Sequence, residues 1–137
     1  MIDIKKIKKI ISITFILFIV ASAAIIYKHK KENKPFNVFG NYISVVISGS
    51  MEPTIKTNDL IIYKKSKFYE VDDIIVFVVE DYLVVHRIIE KTEDGYITKG
   101  DNNSSDDFYR YGYIKENQIV GKVSKNFYLF GIGKLLY

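Results

Sequence analysis

Cysteine is absent from the chain, which excludes disulfides, thiolate zinc sites and cysteine nucleophiles from the outset. Its absence leaves the compartment open, because many exported domains manage without disulfides. Tryptophan is missing too, and proline occurs only twice, so an apolar core has to come from Ile, Val, Tyr and Phe. Aromatic residues at 15% of 137 are enough for that core, but the length suits one membrane segment plus one small domain, not two globular domains. The net charge of +4 is modest and lysine-dominated, and much of it gathers around an N-terminal apolar run. There is no basic patch with interleaved aromatics and no nucleic-acid-binding motif, so a nucleic-acid partner is not expected.

Long apolar runs are scarce, with one exception. Lys5, Lys6, Lys8 and Lys9 precede a stretch from Ile10 to Tyr27 that only Ser12, Thr14 and Ser22 dilute, and Lys28, His29, Lys30 and Lys31 close it. As a helix the run is about 27 Å long, just short of the roughly 30 Å hydrocarbon core, and flanking lysines can snorkel across the difference. A cleavable signal peptide has the same basic start, and Ala21-Ser22-Ala23 resembles its cleavage site. Against that reading, the apolar character continues through Ala24-Ile25-Ile26-Tyr27. A buried core helix fits less well, since no polar face recurs with helical period. The expectation is a retained anchor over 10–27, with a basic segment 1–9 before it. Both flanks are basic, so charge alone leaves its orientation open. His29 reads as a solvated residue of the basic flank.

Residues 28–35 read as a polar linker ended by a proline, and 36–137 as a mainly β domain of antiparallel sheets. Short runs rich in Ile, Val and Tyr occur at Asn41–Ile47, Leu60–Tyr63, Ile74–Val79, Tyr82–Lys91, Tyr96–Lys99 and Ile119–Ser124. Asp94-Gly95 marks a hairpin turn between two of them. Ser104 to Tyr113 is expected as an irregular loop. Phe127 to Tyr137 is apolar but broken by Gly131, Gly133 and Lys134, too short to span a bilayer and suited to packing on the domain or resting at a membrane surface.

Three local settings carry chemistry. Ser48-Gly49-Ser50-Met51-Glu52-Pro53-Thr54 follows a strand-like run and offers a serine after a glycine, as a nucleophile on a tight turn requires. His86 lies in a β run, and alternation puts it on one face with Val84 and Ile88. A neutral imidazole can take the serine proton and return it to a leaving amine. Thr98-Lys99-Gly100-Asp101-Asn102-Asn103, with Asp106-Asp107 behind it, supplies carboxylates. Each setting alone has an ordinary explanation as turn or half-buried strand chemistry. Together they fit a serine–histidine–carboxylate scheme, in which the acid orients the imidazole and stabilises its charged form. Asp101 and Asp107 both qualify as that acid.

With these residues in view, the chain resembles the type I signal peptidases of the serine–histidine branch, found in the endoplasmic reticulum, in archaea and in some Gram-positive bacteria. Ser48 to Thr54 matches the nucleophile box. Val71-Asp72-Asp73-Ile74-Ile75-Val76-Phe77 matches a structural strand box, in which the family usually has glycine where Asp72 stands. Val85-His86-Arg87-Ile88 matches the base box, and Thr98 to Asn103 with Asp106-Asp107 matches the acidic box. The resemblance implies a signal-peptidase-type β-domain behind one transmembrane helix. It implies Ser50 as nucleophile, His86 as general base and Asp107 as the acid that orients His86. Asp101 would support the site through hydrogen bonds in its loop. The oxyanion would be held by the Ser50 backbone N–H and the Ser48 hydroxyl. No metal or cofactor is called for.

Such a protein would remove N-terminal signal peptides from exported preproteins. It would sit as a single-pass protein in the plasma membrane, or in the endoplasmic reticulum membrane of a eukaryote, with its N-terminus cytoplasmic and its catalytic domain outside. Its partners would be signal peptides and the lipid bilayer; the sequence is silent on any tie to secretion machinery. Two other readings compete. A self-cleaving regulator of related fold would use a lysine base, for which Lys64, Lys65 or Lys67 could be drafted, but it would carry a DNA-binding domain in place of the anchor. The other is a catalytically silent anchored β-domain that binds a partner.

Overall fold

The structure, a computed structural model, describes residues 4–32 and 35–129. The chain divides into two compact units, Met1–Pro35 and Phe36–Tyr137. The first unit is a single helix, α1, Ile4–Glu32. Neither glycine nor proline interrupts it, and two of its polar breaks are satisfied from within. Thr14 Oγ1 donates to the Ile11 carbonyl (2.9 Å) and Ser22 Oγ to that of Phe18 (2.8 Å), so neither hydroxyl needs an outside partner. The helix runs on to Glu32, well into the segment expected as a linker. Ile10, Ile11, Ile13 and every residue from Phe15 to Val20 expose their apolar side chains. Among the described residues no helix is long and apolar enough to cross a membrane. The side chains beyond Ser22, including His29, lie outside the described residues.

The second unit is built on one seven-stranded antiparallel sheet, where more than one sheet was expected. Its strands are β1 (Phe36–Val38), β2 (Asn41–Val45), β3 (Leu60–Lys64), β4 (Ile74–Val79), β5 (Tyr82–Thr92), β6 (Gly95–Lys99) and β7 (Ile119–Leu129), in the order β1-β2-β3-β7-β4-β5-β6. β7 enters the middle of the sheet, between β3 and β4, and ties the early strands to the late hairpin. Both faces are covered, as the near-continuous apolar runs of β3 and β4 require. Ile61, Tyr63, Ile74, Val76 and Val123 pack with Val46, Met51 and Ile55 in one cluster. Ile75, Phe77, Ile88 and Ile119 pack with Tyr69 and Ile114 in another. The alternation of Ile74 and Val76 with Ile75 and Phe77 between the two clusters is the period-two signature of a strand buried on both sides.

The expected strands are present, with shifted ends. The first stops at Val45 instead of Ile47, and β1 ahead of it carries no strand signal beyond three residues. The segment expected to be irregular from Ser104 to Tyr113 holds a short helix, α2, Phe108–Tyr111, in which the Arg110 and Tyr111 amides donate to the Asp107 carbonyl and the Gly112 amide just past its end donates to that of Phe108. One helical turn is too brief to leave a periodic pattern. Asp94-Gly95 does turn the chain, with Gly95 at φ +137° and Thr92 paired to Gly95. The expectation for Phe127–Tyr137 falls mainly outside the described residues.

Candidate active site

The nucleophile box follows β2 directly. Past Val45 the chain is held by two backbone bonds, Val46 N to the Asp59 carbonyl and Asn58 N to that of Val46, both 2.8 Å. It then turns at Gly49, whose carbonyl accepts the Glu52 amide (3.1 Å), and Met51 is driven fully into the core. Ser50 is therefore pinned between a turn and a buried anchor. Its side chain stays half-buried, and Ser48 beside it is exposed.

His86 comes from the middle of β5, paired across to Ile75 of β4, which puts the ring on the face that carries Ile75, Phe77 and Ile88. Its Nε2 lies 3.2 Å from Ser50 Oγ and its Nδ1 lies 2.6 Å from Asp107 Oδ2. His86 and Asp107 are only 6% and 5% exposed, so water competes little for this contact. Ser48 Oγ lies 3.3 Å from Ser50 Oγ. An imidazole with one nitrogen on a hydroxyl and the other on a buried carboxylate can move a proton off that hydroxyl while its own charge is compensated.

The acidic box approaches from the end of β6. Its loop grips the nucleophile turn: Asn102 N donates to the Ser50 carbonyl (2.8 Å) and Asn102 Nδ2 to that of Gly49 (3.1 Å). A Cβ at Gly100 would sit 2.6 Å from the Ser50 carbonyl oxygen, so only glycine lets the two boxes close on each other. Within this loop the two aspartates part company. Asp107 reaches His86. Asp101 instead receives both Nε (2.8 Å) and Nη2 (2.7 Å) of Arg87, while Arg87 Nη1 donates to the Asp72 carbonyl (2.9 Å). The Arg87 guanidinium, helped by a hydrogen bond from Thr54, holds the Asp101 carboxyl below its usual range against the opposing effect of burial. The support that Asp101 gives thus runs across to β5 and to the nucleophile box, beyond the loop expected to confine it.

Asp72 explains a departure noted in the sequence. It stands at φ +74°, in the left-handed region where glycine is at ease and an Asp pays a modest penalty. Of the lysines weighed as an alternative base, Lys65 puts its ammonium on the Ile119 (2.7 Å) and Glu116 (3.5 Å) carbonyls. The leading half of β5, Tyr82 to His86, has β4 on one side only. Pairing with β6 begins at Arg87, so among the described residues no strand covers that edge beside His86. Also among the described residues, no group of three or more His, Asp or Glu side chains is placed to hold a metal ion.

Sequence reasoning gave no role to Thr98, Thr54 or Asn102, nor a partner to Arg87. All four lie inside or beside the quoted boxes, but the contacts that give them meaning cross between boxes. The model of the family described as Peptidase S24-like matches residues 18–124. Curated relatives include the signal peptidase complex catalytic subunit SEC11 of Eremothecium gossypii, 37% identical over 94 residues, covering 59% of this chain and 56% of the relative. The protein of the same name from Metarhizium acridum is 35% identical over 107 residues, 69% and 62% of the two chains. That from Neurospora crassa is 40% identical over 94 residues, 59% and 55%. The chain thus spans a little over half the length of the curated relatives it matches.

Proposed function

The chain belongs to the Peptidase S24-like family, and we propose that it is a membrane-anchored serine endopeptidase that removes N-terminal signal peptides from exported preproteins. The observation that carries the reading is the continuous line Ser50 Oγ, His86 Nε2, His86 Nδ1, Asp107 Oδ2, with contacts of 3.2 Å and 2.6 Å. The names of the SEC11 relatives favour the same substrate class.

In the proposed reaction Ser50 Oγ attacks the scissile carbonyl as His86 Nε2 takes its proton. Asp107 keeps the Nδ1–H in place and balances the imidazolium that forms. The oxyanion is met by the Ser50 amide and the Ser48 hydroxyl, donors of a kind that lower such barriers by roughly 3–4 kcal/mol. His86 gives the proton to the departing amine, and water then releases the signal peptide from Ser50 by the same steps in reverse. The uncovered edge of β5 from Tyr82 to His86 suits strand addition, in which a substrate's backbone pairs with the sheet and alternate side chains meet the protein. Side chains at the −1 and −3 positions of such a strand would point to the same side.

The anchor belongs to the same proposal. A helix whose Ile and Phe side chains are bare all round has no counterpart in a water-facing surface helix, and the hydroxyls of Thr14 and Ser22 are satisfied internally, as a hydrocarbon setting demands. The described part of the helix alone is too short an apolar stretch to cross a membrane; with Ala23 to Tyr27 added from the sequence, we place residues 10–27 in the plasma membrane or, in a eukaryotic cell, the endoplasmic reticulum membrane, with residues 1–9 cytoplasmic and 36–137 on the other side. The lysine-based self-cleavage alternative loses ground with Lys65 engaged elsewhere and His86 in the base position.

The test uses the full chain in liposomes with a preprotein bearing alanine at −1 and −3. Mass spectrometry of the products should show one cut, after the −1 residue, and leucine at −1 should stop it. No cut, or a cut indifferent to the −1 residue, would overturn the proposal.

A further inference from the structure

Asp107 is the one buried residue in an otherwise exposed stretch from Ser104 to Arg110. The loop itself therefore offers little packing to fix its carboxylate. What does hold it lies on β6. Thr98 is fully buried, its carbonyl accepts the Asp107 amide (2.9 Å), and its Oγ1 donates to Asp107 Oδ2 (2.6 Å). That oxygen is the same one that faces His86 Nδ1. Thr98 is in turn fixed by the sheet, paired with Ile88 two positions along β5 from His86.

We propose that Thr98 is the positioning residue of this site, its hydroxyl selecting the Asp107 oxygen and lone pair that His86 Nδ1 meets. The inference rests on the peptidase reading for its kinetic consequence, but not for its geometry. A carboxylate on an exposed loop can rotate and offer either oxygen. A second donor on Oδ2, held by a buried strand, removes that freedom and leaves the remaining lone pair of the same oxygen directed at the ring. Valine has the shape of threonine and is as good a strand former. A fully buried hydroxyl is costly without a partner, so packing alone gives no reason for threonine at this position. The function of the hydroxyl is the bond to Asp107.

The test compares Thr98→Val and Thr98→Ser in the full chain in detergent micelles, with two readouts. One is kcat and KM for preprotein cleavage; the other is the low-field proton resonance of His86 Nδ1–H, which needs no substrate. Thr98→Val should lower kcat by about 10- to 100-fold, the effect of a small misplacement of a catalytic group, with KM unchanged and the resonance shifted or broadened. Thr98→Ser keeps the hydroxyl and should restore both. If Thr98→Val does not fold, Thr98→Ala is read in the same way. An unchanged kcat and resonance in the hydroxyl-free variant, or a Ser variant as impaired as it, would overturn the inference. Should the unaltered chain cut no preprotein, the peptidase reading falls while the resonance still decides the role of Thr98.

Discussion

Asp101 and Asp107 share one loop and differ in what they touch. Asp107 meets a ring nitrogen, whereas Asp101 meets a guanidinium that also ties down the Asp72 carbonyl. Converting Asp107 to asparagine keeps the shape but offers the ring an amide, which favours the wrong tautomer. The expected loss is on the order of 10⁴ in kcat. Asp101→Asn leaves the ring contact intact, so its loss in kcat should be far smaller and should come with lower thermal stability. Rates and melting curves of the two variants check this, and the reverse ranking would exchange their roles. Sequence could name both acids as candidates, since carboxylates near a Gly-Asn-rich turn are visible in a string of letters. It could not show which one faces the ring. Asp72 makes a second point at this scale. Its positive φ means Asp72→Gly should stabilise the protein by about 0.5–1 kcal/mol, read from chemical denaturation. Destabilisation would mean that its side chain contributes more than the strained backbone costs.

The unit that assembles the site is the β5–β6 hairpin with the loop that follows it. β5 carries His86 and Arg87 on opposite faces, β6 carries Thr98, and the loop returns Asp101, Asn102 and Asp107 to meet them. The strands and the turn were legible because a period of two and an Asp-Gly pair are local signals. Helix α2 and strand β1 were not, each being too short to repeat a pattern. The grip of the loop on the nucleophile turn was also hidden, because it depends on an absent Cβ at Gly100 approaching a backbone oxygen from another box. Gly100→Ala should push the two boxes apart. Cleavage should fall by roughly 100-fold through displacement of Ser50 from His86, with most of the sheet's stability retained. An alanine variant with full activity would show that the loop yields without moving the serine.

For the molecule as a whole, acid is an informative variable. The Asp101 carboxyl titrates below its usual range in the folded chain because Arg87 lies against it. A group depressed on folding contributes stability above its unfolded value, about 3.9 for an aspartate, and loses that contribution as pH falls through the folded value. The stability difference between the unaltered chain and Asp101→Asn should therefore be full at neutral pH and shrink as the medium is taken below about pH 4. A gap independent of pH across that window would remove the ion pair from the account. The larger organisation, one apolar helix and one β unit, was readable because hydropathy and β-rich runs separate cleanly along the chain. The convergence of serine, imidazole and carboxylate was readable only as an order of residues, since distance is created by folding. The central claim is that this convergence cuts preproteins at Ser50. Its most direct test is the cleavage rate of a preprotein in liposomes by the Ser50→Ala chain, with folding followed by circular dichroism. The account predicts a folded protein with no cleavage above background; a folded Ser50→Ala chain that still cuts at the native rate would contradict it.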